Sequence, residues 1–300
     1  MSKDNSRTKK RRFGDRRDAT LIRDLDGLHF VMNIIYGNRT NNEAYISQNI
    51  DLTRMKEYLE EINYEGIDFK YTFFHIIVAA ILKTVYLRPK LNRFIVNENM
   101  YQRNDVSAAF IVKKVFSDEG SEGLAWLVAK EDDNLESIHN RIRDVVMRER
   151  KHSDGSANGT EATMDLLAQK LPRFISKTAV HFLMWLDKHG WVPQSMISDD
   201  PNQASVLISN LGSIKIKSGY HHLSNWGTTS MFCIVGEKEW RPIYQQDGSY
   251  EMHEFLDLGL TIDERLADGY YYSKSIKLLK YLCEHPEELV KPIQEEVDYE

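Results

Sequence analysis

The sequence predicts an α/β fold in a single domain, on three observations. Segments of strand and helix period alternate from residue 44 to residue 283. No internal repeat and no long linker divides them. The 300 residues carry 42% hydrophobic and 28% charged side chains with only 16 Gly and 7 Pro, enough to build a sizeable core and unlike a collagenous or disordered chain.

The first twenty residues lack an apolar period and hold eight Lys/Arg against three Asp/Glu, so residues 1–27 are expected to be a basic, disordered arm. Residues 44–49 read as a short strand that leads into a helix over 51–62 with Asp51 as its N-cap. Over 71–87 apolar residues fall at helical spacing on most sides, which predicts a buried helix stopped by Pro89. Residues 94–96 and 100–102 are strand-like and flank a hairpin break at Asn97, Glu98 and Asn99. Residues 106–116 and 124–129 are β-rich and predict longer strands.

An amphipathic helix is expected over 134–150, and 153–159 (SDGSANG) reads as a loop. Residues 166–189 hold one or two helices, with Pro172 at the break. Strands follow at 205–209, 230–236 and 255–262, then a helix at 273–283. Residues 286–300 carry six of the last seven acidic residues plus Pro286 and Pro292, and read as a solvated acidic tail. The domain is therefore placed at 28–285.

Charge and cysteine usage remove several function classes. The net charge of −6 leaves −11 outside the first twenty residues, and an acidic body argues against nucleic acid as a partner. Two cysteines, Cys233 and Cys283, make neither a disulfide framework nor a zinc site. The longest apolar stretch, about ten residues near 73–82, is half a membrane span, and no apolar segment follows the charged N-terminus. A cytoplasmic protein with no membrane partner is expected. His139, His152, His181 and His189 show no metal spacing, and His75 reads as a hydrogen-bonded core histidine. No glycine-rich phosphate loop or Gly-x-Ser-x-Gly elbow occurs.

Two segments at strand ends carry the chemistry. Ile208-Ser209-Asn210-Leu211-Gly212 stands about 55 residues before Asp263-Glu264-Arg265-Leu266-Ala267-Asp268-Gly269. With this pair, and with IDLTRMKEYLEE, FFHIIVAAILKTV and RPKLNRFIVNENMYQRNDVSAAFIV in that order, the chain resembles the catalytic domain of the dihydrolipoyl acyltransferases of 2-oxo acid dehydrogenase complexes and the related chloramphenicol acetyltransferases. The resemblance covers roughly residues 28–285.

It implies a two-layer sandwich of a mixed β-sheet and helices, chloramphenicol acetyltransferase-like, assembled as a homo-trimer with sites between subunits. It also implies transfer of an acyl group between coenzyme A and a thiol or other acceptor, with no covalently bound cofactor and no metal. In that family a histidine is the general base, a serine hydroxyl donates to the oxyanion, and an aspartate pairs with an arginine near the N-terminus. By this resemblance Ser209 matches the oxyanion donor, Asp268 the structural carboxylate and Gly269 the turn. Glu264 stands where the family has its histidine, and His29 stands near the position of the arginine.

The segment GYHHLSNWGTTS, with His221 and His222, falls where the family contributes residues near the thiol substrate; these two histidines and Asn210 are the candidate substrate-binding residues. About 27 residues before the domain are too few for a lipoyl domain, so a separate lipoyl-carrying protein is the expected partner. An inactive trimeric relative that serves as a binding or scaffolding subunit is the alternative.

Overall fold

The computed structural model describes residues 11–113, 122–151, 172–193 and 200–299. Its main sheet has six strands in the order β2-β9-β8-β7-β5-β6. These are β2 (Glu43–Asp51), β5 (Ser107–Lys113), β6 (Glu122–Val128), β7 (Val206–Asn210), β8 (Met231–Tyr244) and β9 (Tyr250–Asp263). β7 runs parallel to both β5 and β8, and the remaining pairs are antiparallel, so the sheet is mixed. A second sheet, β1-β4-β3, is built from β1 (Ala19–Leu21), β3 (Arg93–Val96) and β4 (Asn99–Arg103).

Strand alternation sorts the main sheet into two faces. Val206, Ile208, Met231, Cys233, Val235, Leu256, Leu258, Leu260 and Ile262 point to one core. The helices α2 (Thr53–Ile62), α3 (Phe73–Leu87), α4 (Leu135–Lys151) and α6 (Gly269–Glu284) close that core from the same side. This is the expected two-layer sandwich. α3 is buried from His75 through Val85, as its apolar residues on most sides require. Both thiols lie in this core, where burial pushes Cys233 up to about 12 and Cys283 in the same direction. Among the described residues no helix is long and apolar enough to cross a membrane.

Several element boundaries differ from the sequence reading. Asp51 is one residue short of the helix N-cap position, which Leu52 occupies, yet its carboxylate still accepts from the Thr53 N–H at 2.9 Å. The hairpin turn between β3 and β4 is only Asn97 and Glu98, both at positive φ (50° and 63°), the geometry that matches strand twist. β8 continues through charged residues to Tyr244 and pairs with β9 out to Tyr244–Tyr250, because a backbone ladder holds where side-chain burial has ended. The loop expected at 153–159 and the residues 114–116 and 166–171 lie outside the described residues.

Both ends of the chain correct the expected domain limits. The expectation of a disordered arm through residue 27 fails from residue 11 on. Ala19–Leu21 pairs with β4, Arg16 is buried, and its guanidinium donates to the Asp187 carbonyl at 2.7 Å. Residues Gly27–Ile35 form a helix, α1, that the sequence reading did not assign. The expected solvated tail is also packed: Leu289 and Ile293 are buried, and the Lys83 ammonium donates to the carbonyls of Glu288 (3.0 Å) and Pro292 (3.1 Å). Acidic composition hid these apolar anchors. One further helix, α5 (Arg173–Lys188), starts directly after Pro172.

Candidate active site

The turn after β9 is held by its own first and third residues. Asp263 and Arg265 are both fully buried and form a two-pronged pair, Nε to Oδ1 at 2.8 Å and Nη2 to Oδ2 at 2.6 Å. Arg265 also donates to the Tyr36 carbonyl at the end of α1, and the Tyr272 hydroxyl donates to the Asp263 carbonyl at 2.7 Å. Such a pair contributes geometry more than net stability, since two desolvated charges must first be offset. Its effect is to fix the backbone of Glu264, whose N–H donates to the Asn42 carbonyl at 3.0 Å.

Glu264 itself is exposed, and its carboxylate makes no hydrogen bond or ion pair among the described residues. It lines an open groove of about 750 Å³ between α1, β2 and α6. Leu28, Met32, Ile46 and Ile276 form apolar walls; Asp268, His29 and Lys277 stand beside Glu264 on the polar side.

Asp268 does not pair with an arginine or with His29. It caps α6, accepting from the Tyr271 N–H at 2.8 Å, and that bond holds its carboxyl below the usual range. His29 instead meets Asp26, the N-cap of α1, at 2.6 Å. The arginine-paired, buried carboxylate of this turn is thus Asp263, five residues before the one the motif suggested. Asp263 is buried together with its arginine, whereas Asp268 is exposed and serves as a helix cap.

Ser209 sits on the sheet face opposite the helices, since Val206 and Ile208 take the core side of β7. It is half-buried, and its hydroxyl makes no hydrogen bond among the described residues. Asn210 caps the following turn, its side chain accepting from the Ser213 N–H at 3.2 Å. Ser209 is in register with Ile234, and Ile234 with Gly259. Glu264 directly follows the end of β9, five residues beyond Gly259, so two strand spacings and the rise of about five residues separate its backbone from that of Ser209 by roughly 19 Å. One copy of the chain does not bring them together.

Residues between β7 and β8 cross the outer face of the sheet. Gly236 and Gly259 admit this segment: a Cβ on Gly236 would strike the backbone of Ser218, and one on Gly259 the carbonyl of Gly219. Beyond it, Tyr220 packs on Tyr45 with ring centres 5.1 Å apart, and His221 on Phe232 at 4.9 Å. His222 meets Glu43 at 2.9 Å, and Glu43 also accepts from the Leu223 N–H and the Tyr45 hydroxyl. Burial pushes the Glu43 carboxyl up, but those hydrogen bonds outweigh it and hold the group low.

The sequence reading missed Glu43, which anchors the crossing segment. It also missed Arg39, a buried guanidinium that donates to the carbonyls of Ser224 (2.6 Å) and Gly227 (3.2 Å). An isolated charge at a strand start or in a loop carries no periodic signal, so neither was legible. Among the described residues no group of three His, Cys, Asp or Glu is arranged to hold a metal ion.

Comparison with known proteins bears on this site. The family described as 2-oxoacid dehydrogenases acyltransferase (catalytic domain) matches residues 194–291, which include both the Ser209 and the Glu264 segments. No curated protein sequence matches the chain significantly. Among solved structures, a probable dihydrolipoamide acetyltransferase from Listeria monocytogenes superposes with a TM-score of 0.58 at 12% identity, covering 92% of this chain and 97% of that one. The cubic core of a pyruvate dehydrogenase multienzyme complex gives 0.57 at 13% identity over 86% and 90%. A chloramphenicol acetyltransferase gives 0.52 at 12% over 91% and 100%. In fold over most of its length, and in sequence over residues 194–291, the chain resembles the catalytic domain of the 2-oxo acid dehydrogenase acyltransferases, with the chloramphenicol acetyltransferase-like architecture.

Proposed function

We propose that this protein is a cytoplasmic acyltransferase that moves an acyl group between coenzyme A and a thiol, carried by a separate lipoyl-bearing protein, or another acceptor. Glu264 takes the thiol proton, the thiolate attacks the thioester carbonyl, and Ser209 donates to the oxyanion. Collapse of the tetrahedral intermediate expels the coenzyme A thiolate, which receives the proton back, so no net proton is consumed. Asp268 supports the loop by capping α6. His221, His222 and Asn210 border the thiol.

One observation carries this reading. Ser209 and Glu264 each have an unengaged side chain, yet they lie roughly 19 Å apart in one copy. A site that uses both needs Ser209 of one copy beside Glu264 of another, as in a trimer. The exposed apolar residues of α1 next to the Glu264 groove, Leu28 at 68% and Ile35 at 67%, suit such a contact. Ordinary carboxyl and imidazole values differ by about 2.2 units, so a glutamate base concedes about 3 kcal/mol, of order 10²-fold, to a histidine unless the second copy buries it.

That deficit favours a second reading, an inactive trimer that binds or scaffolds. Acetyl-coenzyme A turnover separates the two. The enzyme reading expects measurable transfer by the natural chain and its loss in Glu264→Gln, with thioester binding kept. If the natural chain is inactive, Glu264→Gln changes nothing and no thioester binds at millimolar concentration, the scaffold reading stands.

A further inference from the structure

Of the sixteen residues of α5 only Asp187, in its last turn, is buried. The helix is fastened there: the Asp187 carboxylate accepts from the Gln203 amide and from the Gly227 N–H, both at 3.0 Å, and its carbonyl accepts from Arg16. The rest of α5 lies on the surface, although its sequence is rich in apolar and aromatic residues. Phe174, Phe182 and Trp185 are all exposed, Phe182 by 57%, and so is Trp191 just beyond the helix. Trp185 meets Phe182 with ring centres 5.9 Å apart and Trp191 at 5.3 Å, so these rings form one continuous patch.

Helical period sorts this exposed surface into two arcs side by side. Phe174, Ile175, Phe182 and Trp185 fall on one, Arg173, Lys177 and Lys188 on the other, with His181 between them. The three cations make no ion pair among the described residues. The one acidic residue of the helix is Asp187, whose carboxylate is engaged inside. Every exposed carboxylate-or-ammonium charge on α5 is therefore positive, on a chain whose net charge is −6. A helix of this length is marginal in water by itself, and most of its stability must come from covering its apolar face.

We propose that α5 lies flat in the interface of an anionic phospholipid membrane, its aromatic arc against the acyl chains and its basic arc at the headgroups. Phe and Trp on one side with Lys and Arg alongside is the composition of interfacial helices. Sixteen residues reach about 24 Å, short of the hydrocarbon core, so the contact is peripheral and no span is involved. It departs from the expectation of no membrane partner, which followed from the lack of a span-length apolar stretch. A second copy is the poorer occupant. A two-fold contact sets the same patch against itself, and here it would bring three cations against three. A lipid surface instead supplies an anionic layer beside an apolar one, in the order the two arcs present them.

Flotation with vesicles of equimolar phosphatidylglycerol and phosphatidylcholine, beside phosphatidylcholine alone, tests this. The natural chain is expected to float with the mixed vesicles and to bind pure phosphatidylcholine about 10²-fold more weakly, from the three cations near the surface. Lys177→Gln should cost about fivefold, and only on the mixed vesicles. Phe182→Ala should weaken binding about tenfold on both, from the exposed part of its ring. Trp240→Ala, which removes a comparably exposed aromatic from β8, should change nothing. All three positions are on the surface, so each variant should fold. No flotation with either vesicle, or flotation that Phe182→Ala leaves untouched or that Trp240→Ala reduces as much, overturns the proposal. So does a smaller oligomer in Phe182→Ala, which would assign the patch to a second copy.

Discussion

Lys83 is fully buried within α3, and its ammonium donates to the carbonyls of Glu288 at 3.0 Å and Pro292 at 3.1 Å. Burial lowers its affinity for a proton, and the carboxylates of Glu288 and Glu295 oppose that shift. Replacing it with methionine keeps a stem of similar length and removes these hydrogen bonds, together with a longer one to the Lys291 carbonyl at 3.5 Å. Two charge-assisted hydrogen bonds contribute about 3–6 kcal/mol together. Relief of the buried ammonium's desolvation, several kcal/mol in such sites, offsets part of this and leaves about 1–3 kcal/mol of destabilisation. With an unfolding entropy of about 0.6 kcal/mol/K for 300 residues, Lys83→Met should lower Tm by about 3 °C. The loss should concentrate in the C-terminal segment. Hydrogen exchange should therefore accelerate at Ile293, whose N–H donates to Asp133 O at 2.8 Å, before it does at the strands of the sheet. An unchanged or raised Tm, with Ile293 still protected, would falsify the account of Lys83 as the anchor of this segment.

Two further outcomes follow from the same packing. Burial, reinforced by His139, holds the His75 imidazole down to about 3, so the folded state stays neutral there while an unfolded histidine takes up a proton near pH 6.5. Stability is then lost as pH falls from about 6.5 toward 3, by at most about 1.4 kcal/mol per unit. Urea unfolding at pH 7.5 and 5.0 should show about 2 kcal/mol more loss in the natural chain than in His75→Gln, whose amide can still accept from the Thr72 N–H; equal losses would refute it. Gly259→Ala should cost about 1–3 kcal/mol, because its Cβ would displace the Gly219 carbonyl, and should speed exchange at the Leu223 N–H; normal melting with a protected Leu223 would show that the crossing segment is not held there.

The sequence by itself determined the elements whose signal is local. α3 was legible because its apolar residues repeat at helical period over a whole element, and β5, β6 and β7 because their β-branched and apolar runs are bounded by polar breaks. It also marked the two strand-end segments, Ser209 to Gly212 and Asp263 to Gly269, from which the resemblance was drawn. Tertiary structure decided everything whose partner lies far along the chain. Arg16 reaches Asp187 and Lys83 reaches Pro292, so neither the packed arm nor the packed tail shows in composition. The buried pair of Asp263 with Arg265, two residues on, is closed from a distance: the same guanidinium reaches the Tyr36 carbonyl at the end of α1. The separation of Ser209 from Glu264 follows from the register of β7, β8 and β9, which backbone hydrogen bonds set and which no motif spacing encodes. Periodicity reports which side of an element meets a core; it carries no address for a single charge, and the candidate site is made of single charges.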